Sequence, residues 1–120
     1  MWQRALSGSG GGGGSQFAIR TLTTMPSSIT TDDDGNAFKG KPKIVILSCL
    51  VNGGSYCETE VYDESVSTTT TRLIYNGASS PTTRTIGQSN SFIQKLEDSG
   101  TYGVWFNTSN TSYFSCTIIY

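Results

Sequence analysis

Hydrophobic and polar residues alternate along most of this chain with a period of two, which is the spacing of the two faces of a β-strand. The apolar run Pro42–Val51 is rich in Ile and Val and lies between Gly40 and Asn52-Gly53-Gly54, so a strand is favoured over a helix. No helical apolar pattern persists over two turns. Short, evenly spaced strands predict an all-β sandwich or barrel. The predicted strands are 17–24, 42–51, 56–64, 68–75, 92–96, 101–106 and 113–120.

The first fifteen residues differ from the rest in composition. Ser7–Ser15 contains only Gly and Ser, which is typical of a flexible linker, and Met1–Leu6 lacks the apolar core of a signal peptide. We therefore expect 1–15 to be an expression tag and flexible Gly-Ser linker, with a natural Gly-rich tether as the alternative. Residues 16–120 are then one domain, about the size of a single β-sandwich.

Composition argues against catalysis, nucleic-acid binding and binding to anionic lipid. The 120 residues include eight Lys or Arg and nine Asp or Glu, a net charge of −1 with no run of either sign. The chain has no His, the commonest general base and metal ligand. We expect no enzyme, no cofactor and no small-molecule substrate.

Two acidic segments resemble functional sites, one a calcium-binding loop and the other a pair of catalytic carboxylates. Asp32-Asp33-Asp34-Gly35-Asn36 has the alternate acidic positions of a calcium loop but lacks the Glu that should follow, so a solvated turn is expected. Glu58 and Glu60 lie on one face of a predicted strand because they are two residues apart. With no pocket-forming loop beside them, a solvated or partner-facing surface is expected rather than a catalytic pair.

One motif favours the sandwich over the barrel. The segment Leu96–Tyr102, LEDSGTY, resembles the corner between strands E and F of immunoglobulin-superfamily domains. The segment Arg72–Ser80 resembles the C′ strand and C″ turn of their variable-type domains, and in that register Cys49 takes the place of the strand-B cysteine. The resemblance implies an immunoglobulin-like two-sheet antiparallel β-sandwich of V-set-like topology over 16–120.

The resemblance also assigns structural roles within the corner. It implies that the Tyr102 hydroxyl hydrogen-bonds to nearby backbone and that Gly100 permits the bend. Asp98 usually pairs with an Arg at the start of strand D, and Arg84 lies where that partner is expected.

The chain departs from the family pattern at two core positions. Val104 stands where the strand-F cysteine is expected, and Val61 replaces the strand-C tryptophan. Strand alternation suggests that Cys49, Cys57 and Cys116 all point inward, and strand G is expected beside strand F, which places Cys116 next to Val104. The preferred disulfide is then Cys49–Cys116. Cys57–Cys116 competes with it, and three buried free thiols are the alternative.

Two adjacent N-glycosylation sequons favour an extracellular location. Asn107-Thr108-Ser109 and Asn110-Thr111-Ser112 lie in the expected F–G loop. We therefore expect the ectodomain of a single-pass cell-surface glycoprotein, attached to the membrane by a segment outside this sequence.

The resemblance further implies a contact face formed by strands G, F, C and C′. Aromatic and charged residues that alternation places outward on these strands are typical of interface hot spots. The candidate partner-binding residues are Glu58, Glu60, Tyr62, Arg72, Tyr75, Trp105 and Tyr113. For Trp105 a core position is the alternative.

The absence of the strand-F cysteine and the strand-C tryptophan suggests a narrower resemblance. A variable-like domain without the strand-F cysteine and the strand-C tryptophan is similar to the membrane-distal domains of cnidarian allorecognition receptors. That similarity implies homophilic binding between opposing cells. A heterophilic adhesion or immune ligand and a secreted or viral immunoglobulin-like decoy are the alternatives.

Overall fold

The computed structural model describes residues 16–51, 56–75, 82–107 and 111–120, and the predicted tag and linker lie outside them. Every predicted strand is present, and the described residues contain no helix. Two short strands, at 28–29 and 82–85, were not apparent from the alternation. In chain order the strands are β1 (Phe17–Leu22), β2 (Ser28–Ile29), β3 (Ile44–Val51), β4 (Tyr56–Asp63), β5 (Thr70–Tyr75), β6 (Thr82–Thr85), β7 (Ile93–Asp98), β8 (Thr101–Phe106) and β9 (Thr111–Ile119).

The strands form two antiparallel sheets. A six-stranded sheet has the order β1-β9-β3-β4-β5-β6, and a three-stranded sheet has the order β2-β8-β7. Inward side chains of both sheets meet in one hydrophobic core. In β3, for example, Val45, Leu47 and Cys49 are fully buried. The predicted two-sheet antiparallel β-sandwich is therefore confirmed.

The strands are distributed between the two sheets differently from those of a variable-type immunoglobulin domain. In the variable-type domain strand F lies between strands G and C. Here β3 lies between β9 and β4, and β8, the expected strand F, lies in the other sheet. The expectation that Cys116 lies beside Val104 is therefore wrong: Cys116 pairs with Leu47 of β3 and Arg20 of β1.

The segment predicted to be an E–F corner is a tight hairpin instead. Asp98 pairs with Thr101, and the two residues between them, Ser99 and Gly100, have φ angles of 51° and 86°. Two consecutive residues with positive φ match the twist of a type I′ hairpin turn, which returns the chain within the same sheet. Tyr102 is consequently half-buried against the core, and no described residue is hydrogen-bonded to its hydroxyl.

The predicted ion pair of this corner is also absent. Asp98 pairs with Lys95, with Oδ1 and Nζ 3.1 Å apart. Arg84 lies on β6 of the other sheet, where its Nη2 is 3.3 Å from Oε1 of Glu58. The hairpin keeps Asp98 exposed at its tip, because the chain does not cross between the sheets there.

The side-chain orientation of β4 is opposite to the prediction. Tyr62 is 1% exposed and Glu60 is fully buried, whereas Cys57 and Val61 point away from the core. A shift of one residue moves every side chain of a strand to the other face. The inward orientation is favoured because the Tyr62 ring fills the core and the inward carboxyl groups have hydrogen-bond partners.

The predicted disulfide does not form. Cys49, Cys57 and Cys116 are all free. Cys49 pairs with Phe114 and Cys116 pairs with Leu47, so the two buried thiols are diagonal neighbours on adjacent strands. Diagonal neighbours lie about 7–8 Å apart, beyond the usual Cα separation of a disulfide, and Cys57 faces away from both.

Candidate functional site

The most distinctive surface is the side of the six-stranded sheet that points away from the core, which we call the outer face. It carries five of the exposed large hydrophobic side chains, which are 37–49% exposed. These are Ile19, Ile46, Ile74, Tyr113 and Ile119. Ile44, Leu50 and Val61 lie on the same face and are half-buried. Exposed apolar side chains gathered on one face of a sheet are typical of a binding site.

Strand register aligns these side chains in rows across the sheet. One row crosses all six strands, from Ile19 through Thr117, Ile46, Val61 and Arg72 to Thr83. The next row is mostly hydroxylic, and its Ser48 and Thr59 hydroxyls are 2.9 Å apart. The outer face therefore alternates aliphatic positions with small hydroxyl groups.

Only two charged residues point outward from the strands of this sheet as described. They are Arg72 on β5 and Asp63 at the end of β4. A cavity of about 370 Å³ lies beside them, lined by Val61, Asp63, Val66, Thr70, Arg72 and Thr83. The outer face thus has one cation, one anion and a depression at one corner.

The structure separates the predicted partner-binding residues into three groups. Arg72 and Tyr113 lie on the outer face, as predicted. Glu58, Glu60 and Tyr62 point into the core, so the prediction that they face outward is wrong. The side chain of Tyr75 lies outside the described part.

Trp105 belongs to a different surface. It lies on β8 of the three-stranded sheet and is half-buried, and the Nζ atom of Lys95 is 5.5 Å from its ring centroid. Its neighbour Val104 is fully buried, so alternation directs Trp105 away from the core. Trp105 therefore does not share a face with Tyr113, because their strands belong to different sheets.

The inward glutamates have structural partners rather than a catalytic arrangement. Glu60 accepts hydrogen bonds from the hydroxyls of Thr71 and Ser91 and from the backbone N–H of Phe92, at 2.8–2.9 Å. Burial raises the pKa of Glu58, and the Arg84 guanidinium opposes that rise. Both carboxyl groups are enclosed by protein and are not open to a substrate.

The acidic segment 32–36 forms a turn, as predicted. Oδ1 of buried Asp32 accepts hydrogen bonds from the backbone N–H groups of Asp34 and Asn36, and Gly35 has a φ of 84°. Oδ2 accepts one from the Tyr120 hydroxyl, whose pKa is raised to about 12, first by burial and then by Asp32. No cluster of three potential metal ligands occurs in the part of the chain that the structure describes.

Of the two predicted glycosylation sites, Asn107 lies just after β8 and Asn110 lies outside the described residues. The Asn107 side-chain amide donates a hydrogen bond to the Ser89 carbonyl at 2.8 Å. One amide hydrogen is engaged in this way, and an N-linked glycan would retain one N–H on that nitrogen.

No protein-family model, curated protein or solved structure matches this chain. Within the described ranges, no helix is long and apolar enough to cross a membrane. The outer face is therefore the candidate site on physical grounds alone. The sequence pattern does not single out Ile44 and Ile46 as contact residues, because the run Ile44–Leu47 is apolar at every position and hides the fact that only alternate residues are covered.

Proposed function

We propose that this domain is an extracellular recognition domain of a cell-surface protein and binds a second copy of itself on an opposing cell through the outer face. The observation that carries the proposal is the set of exposed aliphatic side chains and Tyr113 on one sheet face with a single charge of each sign. An immunoglobulin-like relationship to variable-type domains, and to allorecognition receptors in particular, is part of this proposal.

The size of the face is compatible with a specific contact. Six strands about 4.8 Å apart and about seven residues long cover roughly 600 Å². Specific interfaces bury about 800 Å² of accessible surface on each partner, and a corrugated face has more accessible surface than its projected area. The outer face alone is therefore large enough for one partner domain.

The chemistry of the face favours a protein partner, and specifically a second copy. A nucleic acid or an anionic membrane would require several cations, and Arg72 is the only cationic side chain among the outward strand positions described. A face with aliphatic side chains, an aromatic ring and both charge signs can be self-complementary about a two-fold axis. We expect micromolar or weaker affinity, because display of many copies on a cell supplies avidity.

Bead aggregation tests the proposal. Fluorescent beads coated with the wild-type domain should aggregate, and Ile46→Asp should abolish aggregation because it introduces a charge in the centre of the outer face. The matched control is Leu22→Asp: Leu22 is exposed to a similar extent, at 39%, but pairs with buried Phe114 and so lies off this face. The control should aggregate as the wild type does.

Beads of two colours separate the alternatives. Wild-type beads that never aggregate, yet capture a different surface protein, would replace self-recognition with the heterophilic function. Loss of aggregation in Leu22→Asp but not in Ile46→Asp would move the contact to another surface. Thermal unfolding of each variant confirms that it is folded.

A further inference from the structure

The two charges of the outer face are close together but do not pair with each other. Arg72 pairs with Val61 across β4 and β5, and Asp63 lies two residues beyond Val61. Oδ1 of Asp63 instead accepts hydrogen bonds from the backbone N–H and the hydroxyl of Ser65, at 3.0 and 2.7 Å. The Arg72 side chain is exposed, with no ion pair or hydrogen bond to a described residue.

Covering this face with a second copy imposes a requirement on these charges. Removing a charge from water without a partner is unfavourable, and placing a cation against a cation is more so. In a self-contact, the second copy presents the same two charges from the other side. The arrangement that pairs all four charges across the contact places each Arg72 against the Asp63 of the other copy.

We propose that the self-contact is organised by reciprocal ion pairs between Arg72 of each copy and Asp63 of the other. This inference rests on the proposed function and specifies the geometry of its contact. The cavity of about 370 Å³ beside both residues gives the guanidinium of the second copy space to enter. Val66, which is 71% exposed, forms part of its rim.

Reciprocal pairing fixes the orientation of the two sheets. Two faces in contact are related by a two-fold axis that lies in the plane of the contact. Only one such axis exchanges the positions of Arg72 and Asp63. With strands about 4.8 Å apart and same-face residues about 6.7 Å apart along a strand, that axis crosses the strands diagonally and passes close to Ile46.

The same axis brings apolar side chains together. Ile46 meets Ile46 of the other copy, and Ile74 lies near Ile44 and Ile119 of the other copy. Tyr113 lies near Ile19 of the other copy. The two-fold axis that pairs the charges thus also places aliphatic side chains of the two copies opposite one another.

Mixing two charge-reversed variants tests the reciprocal pairs. Arg72→Glu alone places two acids opposite each other, and Asp63→Lys alone places two bases opposite each other, so each variant should self-associate at least tenfold more weakly than wild type. Their equimolar mixture restores both ion pairs and should associate at least tenfold more strongly than either variant alone. Glu97→Lys is the control partner: it has the same change in net charge as Asp63→Lys but keeps Asp63, so in a two-colour assay it should associate with itself and not recover Arg72→Glu.

A second measurement leaves Asp63 and its hydrogen bonds to Ser65 unchanged. In a Cys57→Ser background, Ile46→Cys should form a covalent dimer when oxidised with diamide, because the two introduced thiols face each other across the axis. Ile74→Cys in the same background should not. Association by wild type without recovery in the charge-reversed mixture, or without the Ile46→Cys dimer, overturns the reciprocal pairing alone. Absence of wild-type association overturns the proposed function as well.

Discussion

The carboxyl group of Glu60 accepts a hydrogen bond from the backbone N–H of Phe92 at 2.9 Å and so connects the two sheets of the sandwich. Glu60 lies in β4 of the six-stranded sheet, and Phe92 immediately precedes β7 of the three-stranded sheet. Ser91 and Thr71 bind the other oxygen of the same carboxyl group. With its described cysteines free, the sandwich has this polar cross-connection instead of an inter-sheet disulfide.

Removal of this carboxyl group should destabilise the domain severely. Glu60→Ala leaves the buried Phe92 N–H and the buried Thr71 hydroxyl without their acceptor, at about 1–3 kcal/mol for each group, and leaves the Ser91 hydroxyl with the Ile93 carbonyl alone. We expect the free energy of unfolding in urea to fall by at least about 3 kcal/mol. Glu97→Ala, at an exposed position of β7, is the control and should change it by less than about 0.5 kcal/mol. Equal effects of the two substitutions would contradict the role of Glu60.

Glu58 should make the domain less stable as the pH rises from acid. Burial raises its pKa in the folded state above the ordinary value of 4.5, so the folded domain binds more protons than the unfolded chain in that range. The stabilisation by protonated Glu58 is therefore complete below pH 4.5 and is lost as the pH rises through the folded pKa.

Urea unfolding between pH 3 and pH 7 tests this dependence. The difference in stability between wild type and Glu58→Gln should shift in favour of the variant as the pH rises, because Gln has no proton to lose. Glu97→Gln should show no such shift. A shift in the opposite direction would mean that the Arg84 pair outweighs burial.

The three thiols should differ in reactivity. Burial raises the pKa of Cys49 and of Cys116 to about 12, and both side chains are enclosed, whereas Cys57 is half-exposed on the outer face. Iodoacetamide at pH 8 should therefore label Cys57 alone in the folded domain. All three cysteines should be labelled in denaturant without reductant. Fewer than three labels there would reveal a disulfide.

Gly103 should tolerate no side chain. A Cβ atom at this position would lie 2.6 Å from the Ile29 carbonyl oxygen, where β8 runs against β2. Gly103→Ala must separate these strands, and we expect a loss of about 1–3 kcal/mol in thermal or urea unfolding. Gly40→Ala is the matched control, because nothing lies within 4 Å of its Cβ position. Equal stability of the two variants would contradict the close approach of β2 and β8.

The strands were predictable from sequence because alternation and turn residues are local signals. The run 44–51 and the strand 101–106 are examples in which the pattern alone was sufficient. The orientation of β4 was not predictable in the same way. Its alternate residues Glu58 and Glu60 are polar, and only the distant partners Arg84, Ser91 and Phe92 make burial of their carboxyl groups possible.

The hairpin at Ser99-Gly100 illustrates a second limit. Its sequence fits both a corner between sheets and a two-residue turn within one sheet, since Gly permits either conformation. The pairing of β9 with β3 determines which occurs, because β8 is then left to pair with β7. That pairing joins residues about seventy positions apart and leaves no local trace. The predicted Cys49–Cys116 disulfide was wrong for the same reason, because it assumed that β9 lies beside β8.

Concentration-dependent NMR of isoleucine methyl groups tests the central claim most directly. Eight of the nine isoleucines provide an internal control, because Ile19, Ile44, Ile46, Ile74 and Ile119 lie on the outer face, whereas Ile29, Ile93 and Ile118 are buried. We predict that, from micromolar to millimolar concentration, methyl signals of the outer-face group shift most, with Ile46 at the centre, and that Ile46→Asp removes the shifts. Signals that stay constant over this range, or shifts confined to residues around Trp105 on the three-stranded sheet, would contradict self-recognition through the outer face.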